Sequence, residues 1–319
     1  MSSARELRDA HAAPSDVRGA LDGLATWGAI VLVVGAAHAA GHLLGYLAAA
    51  AVIGGLQHGL VNLAHEAWHR LCFRSRPLND AVGAWLYSYP IGVPFHHDRS
   101  RHLRHHRLVG RSEDPDWPNY TNEGRSTSAQ LCAYLLGRLF GSQLLATAKT
   151  VLIERRPRIA VETAPEEEAP GSRHELLRIA AVQLLLLALF AVFGHWWEYF
   201  VLWLGPVASF AAFFVAVRAF VEHAAPSDAV AAEARLHDFA PGRIERFFLS
   251  PFDFHLHALH HAYPNVPHFR LHALRHALDA EGHVYPGTRE GGYLSVLRAR
   301  LMRDGAAVAA GVPGPDGRP

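Results

Sequence analysis

The sequence predicts an all-α integral membrane protein with four transmembrane helices in two hairpins and a cytoplasmic helical cap. Three observations predict it. Half of the 319 residues are hydrophobic, and they are gathered into long runs rather than spread through the chain. The arginines are concentrated outside those runs, or at their ends, and on one side of them. Three short histidine clusters, HEAWH, HLRHH and HALHH, repeat at helical spacing in the segments that follow the runs.

Residues 1–22 mix acidic and basic groups without the apolar stretch of a signal peptide, and read as a polar cytoplasmic lead-in. The membrane domain is expected over 23–304. A hydrocarbon core of roughly 30 Å needs about 20 apolar residues, and the run from Trp27 to Leu63 is about twice that length. It predicts a hairpin with spans near 25–41 and 45–64 that turns near Gly41 to Gly45. Residues 80–95 are apolar and aromatic, but too short and too rich in Gly and Pro for a span, so an interfacial or re-entrant segment is expected. Within it Trp85, Tyr87 and Tyr89 fit either packing or the wall of a substrate tunnel.

The segment RSEDPDWPNY, 111–120, stops any helix at its two prolines. Residues 129–153 are amphipathic and suit the membrane surface, and TAPEEEAPG, 163–171, reads as an exposed loop. The runs at 176–193 and 199–221 predict the second hairpin, with spans near 176–194 and 199–221. From Gly305 the chain is rich in Ala, Gly and Pro, which predicts a disordered tail over 305–319.

Arginines orient the spans. Arg70, Arg74 and Arg76, a group from Arg99 to Arg111, and Arg155 to Arg178 all flank the same ends, while the turns at 41–45 and 194–198 contain no Arg or Lys. By the positive-inside rule the termini and all three histidine clusters face the cytoplasm, here of a bacterial inner membrane.

In the clusters, His65 and His69, then His102, His105 and His106, then His257, His260 and His261 stand at i, i+3 or i+4, one face of a helix in each case. Eight imidazoles exceed the four ligands that zinc usually takes. Two transition metals sharing the set fit better, since imidazole suits iron, copper, nickel and zinc alike. His223, just past a span and next to Glu222, is a candidate ninth ligand. Other histidines carry blander readings. His268, His272 and His276 alternate with Arg270 and Arg275 and suit a solvated helix face; His38, His42 and His58 suit an apolar core; His96 and His97 could stand behind the ligands or beside a substrate. Glu66, Asp114, Asp116, Glu222 and Asp253 are the carboxylates near the clusters, and could orient the imidazoles from behind.

A net charge of +1 and the lack of any nucleic-acid motif leave the arginines to the membrane surface. Cys72 and Cys132 are the only cysteines and belong to no ligand-spaced pair, which excludes an iron–sulfur cluster and a disulfide framework. A metal-transport protein would carry ionisable residues through its spans, and 179–217 has almost none.

The three clusters in order, EDPD after the second, RAFVEH before the third and HHAYPNVPHF after it resemble the membrane-bound fatty acid desaturase superfamily over roughly residues 45–275. That superfamily also holds related hydroxylases and carotenoid ketolases. The resemblance implies a histidine-ligated pair of non-haem irons, with His65, His69, His102, His105, His106, His257, His260 and His261 as ligands and His223 as the ninth. It implies an O2-dependent oxidoreductase that removes two vicinal hydrogens from an acyl lipid or acyl thioester to form a C=C bond; hydroxylation or ketolation is the alternative outcome at the same site. No His-Pro-Gly-Gly haem segment is present, so electrons are expected from a separate donor of ferredoxin or cytochrome b5 type with its reductase. The first cluster has three residues between its histidines where many members have four, which leaves the subfamily open.

Overall fold

The computed structural model describes residues 2–120, 127–145, 173–223 and 236–309, and these are mostly helical. The loop expected at 163–171, the later part of the amphipathic stretch and residues 310–319 lie outside the described residues.

Helix α1 (Ala4–His11) starts at a capping box, where the Ser3 hydroxyl accepts from the Glu6 N–H and the Glu6 carboxylate accepts from the Ser3 N–H. Helix α2 (Asp16–Ala40) begins at Ser15, earlier than the apolar run itself, because Ser15 caps the N–H of Arg18 and Arg18 pairs with Asp22 one turn on. It ends at Gly41, whose φ of 61° is the left-handed geometry in which its N–H reaches the carbonyl of Ala37. His42 then caps α3 (Leu43–Trp68) by accepting from the Gly45 N–H, so this histidine is an exposed cap and not the core residue its apolar surroundings suggested.

Helix α4 (Arg76–Val82) continues through a π-helical stretch, Gly83–Ser88, and a 3-10 turn, Tyr89–Ile91. Gly83 lets this segment cross α3 closely, since a Cβ there would meet Ala67 and Phe95 at 2.5 Å. Tyr87 and Tyr89 are fully buried, while Trp85 is half exposed. Helix α5 is Phe95–Leu108, α6 the single turn Trp117–Tyr120, and α7 Ser128–Leu139.

Helix α8 (Arg173–Phe193) carries the most apolar stretch of the chain and buries almost none of it: Leu184 is 66% and Phe193 80% exposed. Side chains of this kind have favourable surroundings in lipid rather than water. Helix α9 (Phe200–His223) contains two π-helical stretches, Phe200–Leu204 and Val207–Ala211, on either side of Pro206. A proline has no N–H to donate and crowds the preceding turn, and the widened register accommodates it without ending the helix. Four helices, α2, α3, α8 and α9, are therefore long and apolar enough to cross a membrane.

Beyond α9 come strand β1 (His237–Phe239), helices α10 (Arg243–Leu249), α11 (His257–Ala262) and α12 (His268–Ala280), strand β2 (Thr288–Glu290) and helix α13 (Tyr293–Ala309). The two strands pair in parallel with His237 opposite Thr288, a short ladder that departs from the all-α expectation. Helix α13 runs past Gly305, so the first residues of the expected disordered tail are helical.

The core packs the helices at two levels. In the middle Trp203 stacks on Trp27 at 5.5 Å and donates its indole N–H to the Pro90 carbonyl. At the end of the bundle away from the histidine clusters, Glu198 is 1% exposed and accepts from the Tyr46 hydroxyl at 2.5 Å and the His195 N–H at 3.0 Å, with His38 Nδ1 at 3.0 Å. One carboxylate thus joins α2, α3 and the link from α8 to α9, and it accounts for His38, which is partly exposed rather than core. Glu198→Ala leaves the partly buried Tyr46 hydroxyl and a backbone N–H without their charged acceptor, a loss of about 1–2 kcal/mol. The expected outcome is a lower unfolding temperature in detergent with unchanged metal content.

Candidate metal centre

The histidine clusters converge because each sits where a helix ends or lies short. His65 is in the last turn of α3 and His69 is its C-terminal cap; His102, His105 and His106 line one face of α5; His257, His260 and His261 are half of α11; and His223 is the last residue of α9. Their rings divide into two neighbouring groups. His65, His69, His102, His106 and His260 offer ring nitrogens within 4.8 Å of one another, and so do His105, His223 and His261. His257 joins the second group, with its Nε2 2.9 Å from that of His223.

Within the groups the Nε2 atoms face each other. His102 Nε2 lies 2.9 Å from both His69 Nε2 and His106 Nε2, His106 Nε2 is also 3.2 Å from His260 Nε2, and His223 Nε2 is 3.1 Å from His105 Nε2. A ring nitrogen has one in-plane position, holding either a proton or a lone pair. A nitrogen between two others cannot satisfy both, so these contacts cannot all be hydrogen bonds. The Nε2 of His261 is in addition buried without any hydrogen-bond partner. Lone pairs converging on a shared cation resolve both conflicts, and an all-imidazole donor set suits iron, copper, nickel and zinc.

The outer nitrogens are held. His105 Nδ1 lies 2.8 Å from the Asp114 carboxylate, which also accepts from the Tyr120 hydroxyl and the Asp116 N–H. His223 Nδ1 donates to the Ala219 carbonyl at 3.2 Å. Glu222 lies 3.5 Å from His257 Nδ1 and accepts from Arg218 at 2.7 Å and Tyr293 at 2.9 Å. A proton fixed on the outer nitrogen leaves the inner lone pair free for a metal. The other expected carboxylates lie elsewhere: Asp116 pairs with Arg101 and stays 3.9 Å from His105, Glu66 accepts from the His268 N–H, and Asp253 faces His272.

One placement differs from expectation. His268 is buried and lies 3.1 Å from Asp22, because Pro267 turns the first residue of α12 inward; only the later His272 and His276 reach solvent. His96 and His97 stay outside both groups: the His96 N–H donates to Glu175, and His97 lies 3.8 Å from Asp98. Asp238 was not legible as a site residue. It accepts from the N–H groups of Ala258 and Leu259 and from the Tyr285 hydroxyl, and so fixes the start of the short helix that carries three box histidines. No spacing rule links it to the cluster some twenty residues later.

Burial holds the imidazoles neutral. His69 is pushed down to about 3 by desolvation and then by Arg99, and His102, His106, His257, His260 and His261 fall well below 6.5 through burial and the neighbouring rings. Neutral imidazole is the ligating form.

A pocket of imidazoles at one end of four membrane-length apolar helices fits a membrane protein able to hold metal. The family model for fatty acid desaturase matches residues 41–289, a span that contains every histidine of both groups, and the chain belongs to this family. Membership makes it a desaturase-like oxidoreductase with a lipid substrate. No curated protein matches the chain.

The depressed imidazoles set a pH dependence. Between the ordinary 6.5 and the lower folded values, the unfolded chain binds protons that the folded chain does not, so stability is full above about pH 6.5 and is lost as pH falls toward 3. Burial raises Asp98 to about 6 and raises Asp238, which act in the opposite sense, but the lowered imidazoles outnumber the raised carboxyls. Thermal unfolding of metal-free protein is expected to be level above pH 7 and to fall below pH 6. A level profile down to pH 5 would show that the rings are not held neutral.

Proposed function

We propose that the protein is a di-iron fatty acyl desaturase of the bacterial inner membrane. In this reading the four apolar helices form two transmembrane hairpins over residues 23–304, and the termini and the histidine pocket lie on the cytoplasmic side. Residues 1–22 form the lead-in and 305–319 the tail. The observation that carries the reading is the division of nine imidazoles into two adjacent groups. His65, His69, His102, His106 and His260 would hold one iron, and His105, His223, His257 and His261 the other.

With O2 and two electrons from a separate donor, such a pair supplies the oxidising power to take hydrogen from unactivated methylenes. The chain's own residues do the rest. Asp114, backed by Tyr120, holds the proton of His105 on Nδ1; the Ala219 carbonyl does so for His223; and Glu222, fixed by Arg218 and Tyr293, stands behind His257. Imidazole ligands add no negative charge of their own, unlike the carboxylates of soluble di-iron bundles.

A place for the acyl chain is also present. A mostly apolar, open cavity of about 230 Å³ lies between α2, α3 and the end of α10, lined by Leu56, Gly59, Phe247 and Phe252 with Asp22 and Thr26 of α2 on its polar side. Gly59 is six residues before His65, about 9 Å along the helix. A chain entering from the bilayer there would lie one to two turns of α3 from His65, against the rings of Phe247 and Phe252 that pack close to Gly55 and Gly59.

Two measurements test the reading. In a host supplied with ferredoxin and reductase, wild-type protein is expected to yield lipids two hydrogens lighter, while His105→Ala and His261→Ala yield none and remain in the membrane. Full activity in either variant overturns the assignment, and products that gain oxygen replace desaturation by hydroxylation or ketolation. Asp114→Asn keeps the shape but loses the carboxylate behind His105, and is expected to weaken metal retention about 10- to 100-fold, read as iron per protein after mild chelation.

A further inference from the structure

A second cluster of metal-ligating side chains lies outside the nine-histidine pocket. Asp253 and His255 stand just before α11, and His272 lies on α12. Their ligating atoms are all within 4.8 Å of one another. His272 Nε2 is 3.3 Å from the Asp253 carboxylate, and the rings of His255 and His272 are 5.2 Å apart. Two donors bound at about 2.0–2.1 Å to one tetrahedral ion are about 3.3 Å apart, so the Asp253 and His272 pair already has that separation.

An independent observation points the same way. His255 is 3% exposed, and its Nδ1 is buried with no hydrogen-bond partner. Neither Asp253 nor His272 is needed by the pocket: Asp253 contacts no box histidine, and both side chains are open to solvent, at 26% and 45% exposure. The set is therefore reachable by an ion from solution and has room for water on the remaining positions. A carboxylate with two imidazoles suits a borderline divalent cation and lacks the thiolates that would favour a soft one.

We propose that Asp253, His255 and His272 form a mononuclear site for a divalent cation of the zinc type, separate from the histidine-box centre. A cation there bridges the segment entering α11 to α12.

The test is zinc stoichiometry in full-length protein purified in detergent with its resident metal, dialysed against micromolar free zinc and measured by elemental mass spectrometry. Wild type is expected to hold one equivalent more than His272→Ala, with equal iron in the two, and Asp253→Asn is expected to bind that equivalent at least tenfold more weakly. Because the reading is a difference between two proteins, zinc taken by the boxes cancels. Equal zinc in wild type and His272→Ala overturns the proposal and leaves an ordinary ion pair. A parallel loss of iron in His272→Ala also overturns it, by making His272 a packing residue. Neither result depends on turnover, so failure here is distinct from failure of the desaturase reading.

Discussion

Seven of the nine imidazoles bring their inner nitrogens together at hydrogen-bond distance and cannot satisfy each other, and the other features of the site answer that constraint. Unpartnered buried nitrogens are costly, so the fold must hold them in place by force from outside. It does so through the far side of the rings. Asp114 and the Ala219 carbonyl each hydrogen-bond an outer nitrogen and Glu222 faces a third at 3.5 Å; the two carboxylates are themselves fixed, Asp114 by Tyr120 and Glu222 by Arg218 and Tyr293. The shell is built from helix ends and turns, which can aim a side chain without bending a long helix.

The apolar helices supply the rigidity that such a shell requires. Helix α3 contributes to both levels of the molecule, since Gln57 donates to the Trp203 carbonyl in the core and His65 and His69 reach the pocket one and two turns from Asn62. Arg218 of α9 bridges them, donating to Asn62 on α3 and to Glu222 on its own helix. Two helices that share one guanidinium at the edge of the pocket cannot slide past each other without breaking the contacts behind His257. Far below, Glu198 ties the opposite end. The pocket and the distal clasp therefore fix the register of the same helices from both ends.

Much of this was legible in the sequence, and the part that was not shares a cause. Apolar runs and i, i+4 histidines are periodic, and periodicity survives without coordinates. His223 was legible for a different reason: a histidine beside a carboxylate at the end of an apolar run is expensive unless it has a partner. Pairings between distant segments leave no such trace. Asp238 capping α11, the ladder of His237 with Thr288, and Glu66 serving the His268 N–H instead of a ring depend on which turns meet in space. Nearness in sequence to a histidine cluster is thus a poor guide to which carboxylate stands behind it. Asp114 and Glu222 do; Glu66 and Asp253, equally near along the chain, do not.

The doubled histidines carry one further consequence. His105 and His106, and likewise His260 and His261, are neighbours on a helix, where successive side chains diverge by about 100°. Each pair sends one ring to each group: His106 and His260 to the first, His105 and His261 to the second. The His106 and His261 rings stack at 4.1 Å where the groups meet. Two short helices, α5 and α11, thus set the separation of the two groups through fixed backbone geometry, while α3 serves only the first and α9 only the second. A shift of either span changes one group alone; a shift of α5 or α11 changes both together. That division explains why the firmest anchoring falls on the two short helices, with Asp114 behind α5 and Asp238 at the start of α11.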